Sequence, residues 1–158
     1  MQRVVSVLDS CENFLVNQRL VVALFRYLDD IGVYNIPPGD LSVAFVNEAV
    51  MASLHGRFLD DPVPTDVITF DGDSQMNFAG EIIVCPDYGY DRCNEFGTTL
   101  DSEIMLYLVH GYLHLAGLDD VNDRDLAEMR EAEAKCMAHL NSGMNLAKSP
   151  CLIKYIGS

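Results

Sequence analysis

The sequence predicts a single α+β domain: a small mixed β-sheet covered by helices, with a metal site at the end of a central helix. Three observations lead there. Short β-branched runs alternate with amphipathic stretches in the first half, and the second half is almost entirely helical in pattern. A nearly all-apolar segment of that second half, LYLVHGYLHLAG, carries two histidines four residues apart.

Arg3 to Leu8 alternates and is β-branched, which predicts a strand. Asn17 to Ile31 follows as an amphipathic helix, with Leu20, Ala23, Leu24, Tyr27, Leu28 and Ile31 at helical spacing before Gly32. After the turn at Pro37-Pro38-Gly39, Leu41 to Val46 reads as a strand and Glu48 to Leu59 as a helix ending before Asp-Pro-Val-Pro. Val67 to Phe70 and Glu81 to Val84 are short β-branched runs joined by an acidic, glycine-containing connection, a hairpin-like pair. Leu100 to Leu115 is apolar nearly all round and should be a buried helix that Gly117 terminates. Asn122 or Asp123 caps a last helix running to about Leu140. Residues beyond Asn141 read as loop, so the domain is expected over 1–140 with a tail over 141–158.

At 158 residues and 49% hydrophobic, the chain is long enough for one domain with its own core, and no repeat or linker divides it. It has neither the N-terminal pattern of a secretory signal nor the roughly 18 consecutive apolar residues of a membrane span. A soluble, cytoplasmic protein with no membrane partner is expected. Five cysteines, Cys11, Cys85, Cys93, Cys136 and Cys151, are scattered without a C-x-x-C pair, so they read as reduced thiols in or near the core. The formal net charge of −14 argues against broad, non-specific RNA binding and favours cations, whether a metal or a basic protein.

The chemistry concentrates in Val109 to Asp120, VHGYLHLAGLDD. On a helix, residues four apart share a face, so His110 and His114 can aim their imidazoles at one point. Gly117 then lets the chain leave helical geometry and bring Asp119-Asp120 back towards that point. Three protein ligands with an open fourth position is the arrangement of a catalytic zinc, and other divalent metals suit the same donors. Asp120 is the expected third ligand, with Asp119 as its rival or as the residue that fixes the turn. A histidine pair at this spacing is also a common surface feature. In an apolar segment, however, imidazoles need a partner to compensate for desolvation. His55 and His139 lack ligand-like spacing and read as structural.

The segment His110-Gly111-Tyr112-Leu113-His114-Leu115-Ala116-Gly117-Leu118-Asp119-Asp120 resembles the H-G-x-L-H-L-x-G-x-D-H signature of the YbeY family of bacterial rRNA-maturation endoribonucleases. Pro64-Thr65-Asp66-Val67-Ile68-Thr69-Phe70 is similar to that family's P-T-D-V-[LI]-[ST]-F strand, and Gly80-Glu81-Ile82 to its G-[DE]-I strand. The resemblance implies a metal-dependent endoribonuclease specific for single strands, acting in small-subunit rRNA processing and ribosome quality control. Its partners would be ribosomal RNA, small-subunit ribosomal proteins and an assembly GTPase. One Zn2+ would be held by His110, His114 and Asp120.

Two positions depart from the family pattern. Asp120 stands where the family has a third histidine, which preserves ligation and changes its charge. Phe58-Leu59 stands where the family has an aromatic residue followed by arginine, and Arg57 lies on a different helical face. Among the surrounding residues, His114 and Glu103 are the expected catalytic groups. Glu103 lies two turns before His110 and is placed to orient a histidine, relay protons or simply cap its helix. Thr65 and Asp66 border the cleft, and Asp66 reads as structural. Two competing functions are a metalloprotease, against which Gly111 replaces the general-base glutamate, and a non-catalytic ribosome-assembly factor with a structural metal.

Overall fold

The computed structural model describes residues 2–59, 66–144 and 151–157. Strand β1 (Val5–Asp9) and the short β2 (Phe14–Val16) precede helix α1 (Gln18–Ile31). Asn17 caps α1 by accepting from the Leu20 N–H, and Gly32 ends it in the left-handed region at φ 62°. The apolar stripe of α1 buries Val21, Leu24, Phe25 and Leu28, each contributing about 1.5–3 kcal/mol of transfer energy. Strand β3 (Asp40–Phe45) returns parallel to β1, as a strand–helix–strand crossover requires. Helix α2 (Glu48–Leu59) follows, then β4 (Val67–Asp73) and β5 (Phe78–Val84).

The four-stranded sheet has the order β1-β3-β5-β4, with β4 alone antiparallel to its neighbour. This is the mixed sheet expected, and β4 and β5 form the anticipated antiparallel pair, with Ile68 opposite Ile83. Helices α3 (Pro86–Phe96), α4 (Leu100–Leu115) and α5 (Asp123–Gly143) then pack around it. The larger core gathers Val43, Phe45, Ile82 and Val84 of the sheet with Leu24 and Phe25 of α1 and Ile104, Leu108 and Leu113 of α4. The opposite face carries a smaller cluster, in which Met51 of α2 meets Ala44, Ile68 and Ile83. Helix α4 is buried on nearly every side, as its composition demands.

Three features differ from the expectations. The chain beyond Asn141 is not all loop: α5 continues to Gly143, and β6 (Ile153–Tyr155) pairs antiparallel with β2. The Asp101 carboxylate accepts from the N–H groups of Leu152 and Ile153, and Tyr155 stacks on Tyr90 at 4.3 Å between ring centroids. Both strands have only three residues, and neither alternates strongly enough to be recognised without the other. Helix α3 was also unanticipated, although Pro86 at its first position and Gly97 just past its end are a helix signature. Of the five cysteines, all free, four are buried as expected and Cys151 is exposed.

Candidate metal centre

Helix α4 approaches the sheet closely at one residue. A Cβ at Gly111 would sit 2.6 Å from Ile82 Cγ2, so only glycine lets the helix rest on β5 at this point. The neighbours His110 and His114 stay half-buried, with side-chain exposures of 17% and 24%. The helix ends just beyond them. Leu118 N–H donates to Leu113 O, Gly117 N–H donates to His114 O, and Gly117 takes φ 102°, a Schellman-type termination. The chain therefore turns back over the last helical turn. Asp119 Oδ1 accepts from the Asp120 N–H at 2.9 Å, which leaves Asp119 fixing the turn and Asp120 facing the histidines.

Asp120 bridges the two imidazoles. His110 Nε2 lies 3.5 Å from Asp120 Oδ2, and His114 Nε2 lies 3.7 Å from Asp120 Oδ1. One ligand atom from each of the three residues lies within 4.8 Å of the other two. Bonds of about 2.0–2.1 Å in a tetrahedral site separate adjacent ligands by about 3.4 Å, so this donor set fits one small divalent cation. Two imidazoles and a carboxylate suit zinc and also harder divalent ions.

The residue behind this group is Glu133 of α5. His110 Nδ1 donates to Glu133 Oε2 at 2.6 Å, which leaves the Nε2 lone pair directed at the ligand group. The other oxygen, Oε1, accepts from Arg130 Nη1 at 2.7 Å. Glu133 is only 3% exposed. Burial works against its charge, but the hydrogen bonds from His110 and Arg130 outweigh it and hold the carboxyl below its ordinary range. Neither Glu133 nor Arg130 figured in the sequence reading. The available signal was a charged residue on the apolar stripe of α5, four positions after Met129 and beside Ala132, Cys136 and Leu140.

The other described residues singled out by sequence do not join this group. Glu103 lies two turns up α4, about 10 Å by helical rise, where its carboxylate accepts from Thr98 Oγ1 at 3.1 Å. Asp66 Oδ1 accepts from the Val67 N–H and Asp66 O from Cys85 N–H, so both groups serve the start of β4. Thr65 and the Leu59 side chain lie outside the described residues. His55 and His139 sit on α2 and α5, apart from the group. One turn before His110, the buried Tyr107 hydroxyl lies near Glu103 without a well-formed hydrogen bond among the described residues. Burial, then the charges of Asp66 and Glu103, push its proton affinity far above the ordinary phenol value.

The family model described as Endoribonuclease YbeY matches residues 16–141. The Endoribonuclease YbeY of Beutenbergia cavernae is 31% identical over 139 residues, covering 81% of this chain and 91% of that one. That of Protochlamydia amoebophila is 38% identical over 105 residues, covering 64% and 70%. The solution structure of TM1509 from Thermotoga maritima superposes with a TM-score of 0.65 at 27% identity, covering 91% of this chain and 93% of the other. With the ligand-bearing helix and its turn inside the matched span, the chain belongs to the YbeY family.

Proposed function

We propose that this chain is a metal-dependent endoribonuclease that cleaves single-stranded segments of ribosomal RNA during small-subunit maturation and quality control. The observation that carries the reading is the convergence of His110, His114 and Asp120, with Glu133 bracing His110 from behind. A zinc ion bound there would supply Lewis acidity for activating water and for neutralising charge on phosphorus. The chain's own contribution is to fix the donors: Glu133 sets the His110 tautomer, Asp119 sets the turn, and Asp120 spans both imidazoles.

His114 is the ligand nearest the helix end, and Glu103 is proposed as a proton-relaying group separate from the ligands. In that role Glu103→Gln would lower kcat without releasing metal. The cytoplasm is the proposed location; no helix among the described residues is long and apolar enough to cross a membrane.

The test compares purified wild type, His114→Ala and Asp120→Ala for zinc content and for cleavage of a single-stranded RNA. Both variants should lose zinc and cleavage together. Folded variants that lost zinc yet cleaved at the wild-type rate would show that the nuclease does not use this site. Asp120→His should hold zinc as well or better, and loss of zinc in that folded variant would remove Asp120 from the ligand set.

A second reading draws on the net charge of −14: an assembly factor that docks basic small-subunit ribosomal proteins, with the metal structural. Such a protein would bind them with or without an intact His110–His114–Asp120 group. An assembly GTPase partner rests on the family likeness alone. The protease reading is weaker, because Gly111 occupies the position of the general base.

A further inference from the structure

Arg130 holds two environments together. Its side chain is 62% exposed, yet Nη1 is fixed at 2.7 Å to a Glu133 carboxylate that is 4% exposed. That same carboxylate receives His110 Nδ1 at 2.6 Å, so the guanidinium and a metal-ligand imidazole are attached to the two oxygens of one group. A long surface side chain normally samples many rotamers; here its tip is anchored beside the ligands.

Only one of the five guanidinium N–H donors is used in that bond, and the edge formed by Nε and Nη2 remains available among the described residues. That edge offers two parallel N–H groups, the geometry that takes two oxygens of a phosphodiester. The need for a cation is evident from the surroundings. Asp119 and Asp120 are exposed beside the histidines, Asp66 and Asp120 both act on the Arg130 charge, and the chain carries −14 overall. Beyond a cation held by the His110–His114–Asp120 group, a fixed positive side chain would offset this repulsion for a polyanionic strand.

We propose that Arg130 forms a phosphodiester-binding subsite next to the His110–His114–Asp120 group, with Glu133 holding its guanidinium in place. The proposal rests on the endoribonuclease reading and assigns the backbone contact that reading lacks. The alternative role for Arg130 is only to neutralise the buried Glu133. The two roles separate by salt dependence, because a phosphate contact releases counterions from the strand and an internal brace does not.

The experiment uses the zinc-loaded wild type, Arg130→Gln and Arg130→Lys. A fluorescein-labelled single-stranded 2′-O-methyl oligonucleotide, which resists cleavage, reports binding across a potassium chloride series, and the unmodified strand reports KM and kcat. Arg130→Gln should bind about tenfold more weakly and raise KM, with zinc retained. Its log–log salt slope should be shallower by about 0.7. Arg130→Lys, which keeps the charge without the planar edge, should restore the slope and only part of the affinity.

An Arg130→Gln protein with the wild-type slope overturns the proposal, whether its activity is intact or falls in step with lost zinc. If wild type cleaves and the slopes coincide, only the Arg130 assignment fails. If wild type neither binds nor cleaves, the endoribonuclease reading fails and the subsite with it.

Discussion

His110 Nδ1 and Glu133 Oε2 meet at 2.6 Å across the contact between α4 and α5, so a candidate ligand on one helix is oriented by a buried carboxylate on the next. Removing that carboxylate leaves the imidazole free to rotate and to change tautomer. Glu133→Ala, which removes the accepting group, is expected to weaken zinc binding about 10- to 100-fold, measured by competition with a chromophoric chelator. A folded Ala variant with wild-type zinc affinity would show that His110 needs no such partner.

The close approach of α4 to β5 makes Gly111→Ala a packing test. The added methyl would lie 2.6 Å from Ile82 Cγ2 and should cost about 1–3 kcal/mol in urea denaturation. Combining it with Ile82→Ala, which removes the obstructing carbon, should cost less than the sum of the two single changes. Additive losses would place the Gly111 effect elsewhere.

Asp101 ties β6 to the first turn of α4 by accepting from the N–H groups of Leu152 and Ile153 at 3.0 and 3.1 Å. Asp101→Ala should lose about 1–3 kcal/mol and expose amides of β6 to faster hydrogen exchange. Asn at this position retains an accepting oxygen and should recover part of the loss. Unchanged exchange at Leu152 and Ile153 would show that the β2–β6 pairing holds without Asp101.

The buried thiols predict an alkaline limit to stability. Burial, followed by the nearby Asp9 and Asp87 charges, pushes Cys11 up to about 12 from an ordinary 9.0. Burial likewise takes Cys85 and Cys136 to about 11. In the unfolded chain these thiols lose their protons near 9, whereas in the folded chain they retain them up to 11 or 12. The unfolded state therefore binds fewer protons in that interval, and stability falls as pH rises through it after being fully present below it. Urea midpoints taken on either side of pH 9 should show the fall. Near neutral pH, iodoacetamide should add once to the native protein, at the exposed Cys151, and reach the others only on unfolding. Multiple adducts on the native protein would place further thiols within reach of solvent.

The two histidines, the glycine that ends their helix and the acidic pair after it were legible in the sequence because their geometry is local. Spacing of four on a helix fixes which side chains share a face, and the turn at Gly117 needs only its own backbone bonds. The hairpin-like pairing of β4 and β5 was legible for the same reason. Between Asp119 and Asp120 the sequence left a choice, and in the fold it is Asp120 whose carboxylate lies 3.5 and 3.7 Å from the two imidazoles. Glu133 and Arg130 lie on another helix, Glu133 being 23 positions after His110, and β2 finds β6 only at the far end of the chain. Periodicity can mark a stripe as buried, but which groups meet across two stripes depends on how helices and strands pack together. For this protein the sequence determined which side chains can converge, and only the tertiary structure determined what orients them.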